Sequence, residues 1–381
     1  MKYLIFVSVV ILGLAFAVNT SAQIDLSALT SLGYTGLDTE DGINKMHRND
    51  NPFNPLRATV FMESWIDDDV GFFLEFLWDS GDPPTGGSTK PRVNGAYAVI
   101  SPFETDALNF KFGLIPSVFG TWAPRTYADK NPLIGVPLMQ HYFVSHSGNH
   151  LFATTDEMRD SLDDESDDFM SVAYDACWPY GVEAFGFFSK YEYALAVTKD
   201  TMSNPMSFGN DGAQVMGRFG VRPLIGMRLG ISAEYGSYLR EGSTGLPDGT
   251  SLESVAQKAV GFDIHYSRAH TNIFSEVVLN WWENPNLNKD MGCTVWYVEA
   301  KQKLMPGFYA AIRFDQMLFN EFTDSGGKSF NWDNDVTRIE AGLGYHLSRN
   351  TLAKVVWQHN EIQNRDDIDL LSIQFIFTMK P

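Results

Sequence analysis

A chain of 381 residues that is 44% hydrophobic and 14% aromatic has ample apolar surface to fold, which rules out a disordered protein. Its formal charge of −19 argues against nucleic-acid binding and against a basic membrane-surface anchor. Only the N-terminus holds a long unbroken apolar run, so a bundle of membrane helices is ruled out as well.

That N-terminus, MKYLIFVSVVILGLAFAVNTSA, joins a positive Lys2 to an apolar core and small residues ending at Ala22. Residues 1–22 read as a secretory signal cleaved before Gln23; a retained anchor is the alternative. No Cys lies near the cleavage point, so a lipoprotein is not expected. The two cysteines, Cys177 and Cys293, allow at most one bridge, and the sequence leaves that bridge undecided.

After Gln23, segments of roughly nine to thirteen residues alternate apolar and polar positions with a period of two, the pattern and length of a tilted membrane-crossing strand. A weaker first segment, Ser27–Gly36, is followed by Arg57–Ile66, Val70–Asp79, Arg92–Ser101 and Ala107–Ile115. Next come Gly181–Phe188, Tyr191–Thr198, Ala213–Arg222, Gly226–Leu239, Gln257–Tyr266 and His270–Trp282. Gly292–Lys303, Gly307–Leu318, Val336–Leu347, Thr351–Ile362 and Asp369–Lys380 complete the set. In Val336–Leu347, the residues Ile339, Ala341, Leu343, Tyr345 and Leu347 share one face, and Arg338, Glu340 and His346 the other. Connections alternate long and short, from the Asp67–Asp69 turn to the long Leu37–Leu56 and Asn320–Asp335 loops. The expectation is an all-β fold: a transmembrane antiparallel β-barrel of about sixteen strands over residues 23–381. A secreted β-sandwich with a dry core is the alternative.

The third long connection, 116–180, exceeds all others. Its Pro- and aromatic-rich stretch Asn131–Val144 suggests packing, and the inside wall of the barrel is the obvious surface. A cap outside the barrel is the alternative. Later in the same loop, eight carboxylates (Asp156, Glu157, Asp160, Asp163, Asp164, Glu165, Asp167, Asp168) surround a lone cation, Arg159. At a pore mouth they would concentrate cations; a merely solvated acidic loop, or a divalent-cation site, are the other readings. The alternation assigns Lys111, Arg218, Arg228, Lys301, Arg313, Arg338 and Lys354 to the inner face. It assigns Glu63, Glu75, Glu234, Asp263, Glu276, Glu299, Asp315 and Glu340 to the same face. Such a mixed lining implies a hydrated, weakly selective lumen.

Trp78, Trp281, Trp282, Trp296, Tyr297 and Trp357 lie within strands, where interfacial girdles would explain them; Trp282 and Tyr297 have the inward phase that sugar stacking would need. No nucleophile elbow, zinc-protease or phosphate-loop motif occurs, and the spacing of His141, His146 and His150 fits no recognised metal site. Neither an enzyme nor a cofactor is expected.

At FKFGLIPSVFG, Phe110–Gly120, the chain resembles bacterial porins related to the phosphate-selective porins, through Lys111, Gly113, Pro116, Phe119 and Gly120. The resemblance implies a sixteen-stranded outer-membrane barrel, often a trimer, passing small hydrophilic solutes passively. The family's anion-selective members use a basic ladder, whereas this lining is mixed and its loop acidic, so phosphate specificity is not carried over. The end QFIFTMKP also sets Phe377 back from the terminus, where many such porins end in an aromatic residue. A mild cation preference is therefore expected. The rival readings are a plugged barrel serving binding, adhesion or scaffolding, and a sheath around a partner protein. A lipid-active barrel enzyme would need a catalytic dyad that the residues do not offer.

Overall fold

The structure is a computed structural model that describes residues 24–37, 56–79, 91–163, 170–174, 178–199, 201–203 and 210–379. Residues 1–22, read above as a secretory signal, lie outside the described residues together with Asp164, Glu165, Asp167, Asp168 and Cys177, as do the side chains of His141 and Asp163.

The first half of the chain supplies β1 (Ile24–Leu37), β2 (Leu56–Trp65), β3 (Val70–Asp79), β4 (Arg92–Ile100), β5 (Asn109–Leu114), β6 (Tyr180–Phe188), β7 (Tyr191–Lys199) and β8 (Ala213–Val221). The second half supplies β9 (Met227–Ser237), β10 (Ala256–Arg268), β11 (Thr271–Trp282), β12 (Met291–Met305), β13 (Phe308–Phe319), β16 (Val336–Ser348), β17 (Thr351–Ile362) and β18 (Ile368–Met379). A small hairpin, β14 (Glu321–Thr323) with β15 (Ser329–Asn331), interrupts the series between β13 and β16. The sixteen longer strands form one closed antiparallel barrel, each pairing with its neighbours in the sequence of barrel strands. Closure is made by β1 against β18, in register from Ala28↔Met379 to Leu37↔Leu370. No edge is left, so the strands' backbone donors and acceptors pair within the sheet.

The alternation explains why these segments are strands and which way they face. In β18, Leu371, Ile373, Phe375, Phe377 and Met379 are exposed on the outer side while Leu370, Ser372, Gln374 and Ile376 are buried. Tight turns join β2–β3, β6–β7, β8–β9, β10–β11, β12–β13 and β16–β17 at one end. In the first, Asp67 Oδ1 accepts the backbone N–H groups of Asp69 (2.9 Å) and Val70 (2.8 Å), an Asx turn that explains an aspartate there. Longer connections lie at the other end; the β5–β6 connection contains the short helices α1 (Leu138–His141) and α2 (Thr155–Asp160).

An apolar core lies on the inner side, near the end that carries the long loops. There Val278, Trp282, Val295, Met317, Phe319, Val336, Ile362 and Leu370 of the strands meet Ile115, Leu138, Met139, Tyr142, Val144, Leu151 and Met158 of the β5–β6 connection. A second cluster joins Leu133 and Ile134 to Leu29, Tyr309, Leu352, Val356 and Ile376.

Candidate functional site

Two glycines shape the departure of the β5–β6 connection, Gly113 within β5 and Gly120 beyond its end. Gly113 has φ +134°, and a Cβ there would stand 2.1 Å from the carbonyl oxygen of Ala96. Gly120 has φ +67°, and its Cβ would stand 2.4 Å from Glu276 Oε1. Both positions need glycine, for conformation and for room. Past this bend, Gly120 N–H donates to Ser232 Oγ (3.0 Å) and Thr121 N–H to Glu276 Oε1 (2.6 Å), laying the chain against β9 and β11.

From there the connection is tied across the inner faces of β12, β13, β16 and β17. Arg125, in a single 3-10 turn at Ala123–Arg125, donates to Tyr297 Oη (3.1 Å) and to Glu299, with its guanidinium 3.8 Å from the Phe274 ring centre. Arg313 donates to Glu299 Oε2 (3.1 Å), Asp315 Oδ2 (3.1 Å) and Glu340, and also to Gly135 O (2.6 Å). Glu340 Oε1 in turn accepts Gly135 N–H (2.7 Å), so a single peptide position is gripped from both sides. Asp315 accepts Leu138 N–H (3.3 Å), and Arg338 donates to Asn360 (2.6 Å) and to Val136 O (3.3 Å). The Lys354 ammonium uses its three donors on the carbonyls of Ala128 (2.6 Å), Asn131 (2.7 Å) and Leu133 (2.9 Å). Arg313, Glu299 and Glu340 are wholly shielded from water, and charges buried this deeply stand only because each is paired and hydrogen-bonded. The expected hydrated lining is therefore covered along this arc by residues 120–138.

Other wall charges pair locally. Lys111 meets Glu183 (2.9 Å), and Arg218 bridges Glu192 (2.7 Å) and Asp263 (2.7 Å). Glu192 also takes Arg222 (2.9 Å), exposed at the short-turn end, and lies 3.6 Å from the half-buried Arg228. Lys301 stands over the Tyr309 ring (4.0 Å), Glu234 accepts from Gln214, and Glu63 accepts from the Trp65 indole (2.9 Å) at an exposed strand end. Across the barrel, Glu75 on β3 accepts from Tyr127 Oη (2.7 Å) and from Asn94 Nδ2 (3.0 Å). The β3–β4 register slips between Glu75 and Phe76, a bulge that leaves Asn94 unpaired in the ladder and aims it at the carboxylate.

At the long-loop end, the described part of the acidic run is structured. Thr154 caps α2 by accepting from Glu157 N–H (3.2 Å), while Glu157 returns to Ala153 N–H (2.6 Å) and His150 (2.8 Å). Arg159 reaches Asp160 (2.8 Å), Asp156 (3.5 Å) and, on the β14–β15 hairpin, Asp324 (2.6 Å). Asp324 is held below the usual carboxylate range by the Lys328 N–H and by Arg159, and Asp156 by its bonds to Ser325. His146 meets Tyr238 Oη (3.1 Å) beside Phe152, within the loop packing. Cys293 is a buried thiol. Among the described residues no cluster of His, Cys, Asp or Glu has the form of a metal site.

Trp282 and Tyr297, the inward aromatics, are fully buried: Trp282 packs against Trp332 and Tyr297 is held between Arg125 and Glu276. Neither offers a face to a sugar. Sequence reasoning passed over Glu183 and Glu192, although both stand on the inner phase of β6 and β7. It also passed over Arg125 and Tyr127, which lie in an aperiodic loop where no repeat marks them.

No family model and no curated protein matches the chain. Solved structures do. Salmonella typhi OmpF, solved with daunomycin, aligns with a TM-score of 0.59 at 13% identity, covering 93% of this chain and 97% of that one. The anion-selective porin from Comamonas acidovorans aligns at 0.58 and 8% identity, covering 94% and 100%. The outer membrane channel DcaP of Acinetobacter baumannii aligns at 0.56 and 9%, covering 94% and 97%. The fold is that of the bacterial outer-membrane porins. At such identities the likeness is one of architecture, and this porin-type barrel owes its interior to its own residues.

Proposed function

We propose that the chain sits in a bacterial outer membrane as a narrow porin-like channel, passing small hydrophilic solutes or ions by passive diffusion. The observation that carries this reading is a charged inner wall across which residues 120–138 are strapped, so the loop, and not the barrel diameter, sets the bore. A mild cation preference is part of the proposal, supported by the eight carboxylates of the loop run against Arg159. The inner-face charges named from the sequence would tune permeation mainly where the loop leaves them uncovered, as at Arg228 and Lys301. The likeness of Phe110–Gly120 to phosphate-selective porins suggests kinship without specificity for phosphate, and assembly into trimers belongs to the same analogy.

A second reading, a loop-closed barrel used for binding or scaffolding, is favoured by one observation, the apolar core filling the long-loop end of the interior. The two separate in a planar bilayer. The mature chain, refolded and recorded under a KCl gradient, is expected to give small discrete steps with a reversal potential on the cation side. An anion-side potential would move selectivity to Arg218, Arg222 and Arg228, and folded protein without steps would overturn the channel.

A further inference from the structure

Among the described residues, two clefts between the loop and the wall differ in the charge of their lining. One is lined among others by Ser117, Phe119, Gln140, Thr201, Gln214 and Met216, polar and apolar groups together, and none of its lining residues is charged. The other lies between Thr126–Ala128 and the inner faces of β1–β4. Its polar lining is Ser31, Arg57, Thr59, Glu75, Asn94, Thr126 and Tyr127. We propose that this second cleft is the permeation constriction and that the Tyr127 side chain, resting on Glu75, is its movable side. The inference rests on the channel reading above and locates the constriction within it.

An ion or charged solute leaving water needs replacement partners and counter-charge, which a carboxylate and an arginine beside an amide and four hydroxyls supply and an uncharged cleft does not. The free core of the polar cleft, about 20 Å³, is the room of one water, so anything larger requires a wall to yield. The backbone around Tyr127 is fixed on both sides. Arg125 is bound to Glu299 and Tyr297, and the carbonyls of Ala128, Asn131 and Leu133 are bound to Lys354. Tyr127 itself is held by its 2.7 Å bond to Glu75 and an edge-on contact with Phe61, ring centres 5.3 Å apart. Rotating one side chain, with the loop left in place, would widen the opening and uncover the Glu75 carboxylate.

The test is single-channel recording on the full mature chain with Tyr127→Ala, Tyr127→Phe and Glu75→Gln, and Met216→Ala in the uncharged cleft as the contrast. Heat-shifted gel mobility reports that each variant is folded. Tyr127→Ala should raise unit conductance about twofold or more, and Tyr127→Phe, keeping the ring, should change it less. Glu75→Gln should shift the reversal potential toward the anion side, and Met216→Ala should alter neither. A conducting wild type whose Tyr127→Ala variant is unchanged would overturn the constriction and leave the channel standing. So would a conductance that follows Met216→Ala. A silent wild type opened by Tyr127→Ala would support the constriction and overturn the resting-open channel; silence in both folded proteins would overturn both.

Discussion

Arg313 illustrates how the interior is held at the scale of one residue. Its guanidinium pairs with Glu299, Asp315 and Glu340 and also grips a loop carbonyl, all out of reach of water. Arg313→Met would retain the volume but take the paired cation from Asp315 and Glu340, leaving Glu299 to Arg125, and removing one partner of a buried ion cluster costs about 3–5 kcal/mol. Urea unfolding of the barrel in lipid vesicles should show that loss; a shift below about 1 kcal/mol would mean that water enters the cluster. Lys354→Met is expected to act differently. It strips the donor from three loop carbonyls while leaving the wall otherwise intact, so exchange of backbone amides in 126–135 should quicken while that of β17 stays slow. Equal protection of the loop in both proteins would show that apolar contacts at Leu133 and Ile134 suffice to hold it.

At the scale of the element, the strands were legible because a period of two needs no partner to be seen. Residues such as Phe375 and Gln374 in β18 declare opposite faces from their alternation alone, and their neighbours in the ladder follow by order along the chain. The loop was not legible in the same way. That it is long and apolar shows in the sequence, but that Gly135 lies between Arg313 and Glu340 depends on contacts about two hundred residues apart, which no local pattern encodes. The outer faces give a direct check. Phe375→Lys places an ammonium among apolar neighbours and should cost about 2–4 kcal/mol if that row faces hydrocarbon at midplane, whereas Gln374→Glu, one residue away and opposite Lys354 in the ladder, should cost far less. Equal effects would contradict the facing. The tie between α2 and the β14–β15 hairpin depends on pH in a defined direction. Asp324 and Asp156 are held below their unfolded values, so their contribution is complete above about pH 4 and is lost as pH falls through the lower folded values. Amide exchange in 155–160, corrected for intrinsic rates, should be flat from pH 7 to 5 and rise only below about pH 4. A rise between pH 7 and 5 would mean that these two carboxylates do not hold the helix.

The molecule as a whole has nine tryptophans, and their distribution tests what fills it. Trp78, Trp281, Trp296 and Trp357 have the outward phase, Trp122, Trp178, Trp282 and Trp332 are buried, and Trp65 is exposed at the short-turn end. Porin-type barrels commonly enclose water, and an interior of that kind would bathe inward tryptophans. Here the apolar ends of the strands and the loop pack against each other instead, and Trp282 meets Trp332 edge to face with ring centres 5.6 Å apart. Brominated lipid should therefore quench the four outward indoles, and iodide should reach Trp65. A variant retaining Trp282 alone should be protected from both quenchers, since neither hydrocarbon nor water adjoins it. Iodide quenching of that single indole in the folded barrel would mean that the long-loop end is wet, and the bore would then be set by the full width of the barrel and no longer by residues 120–138.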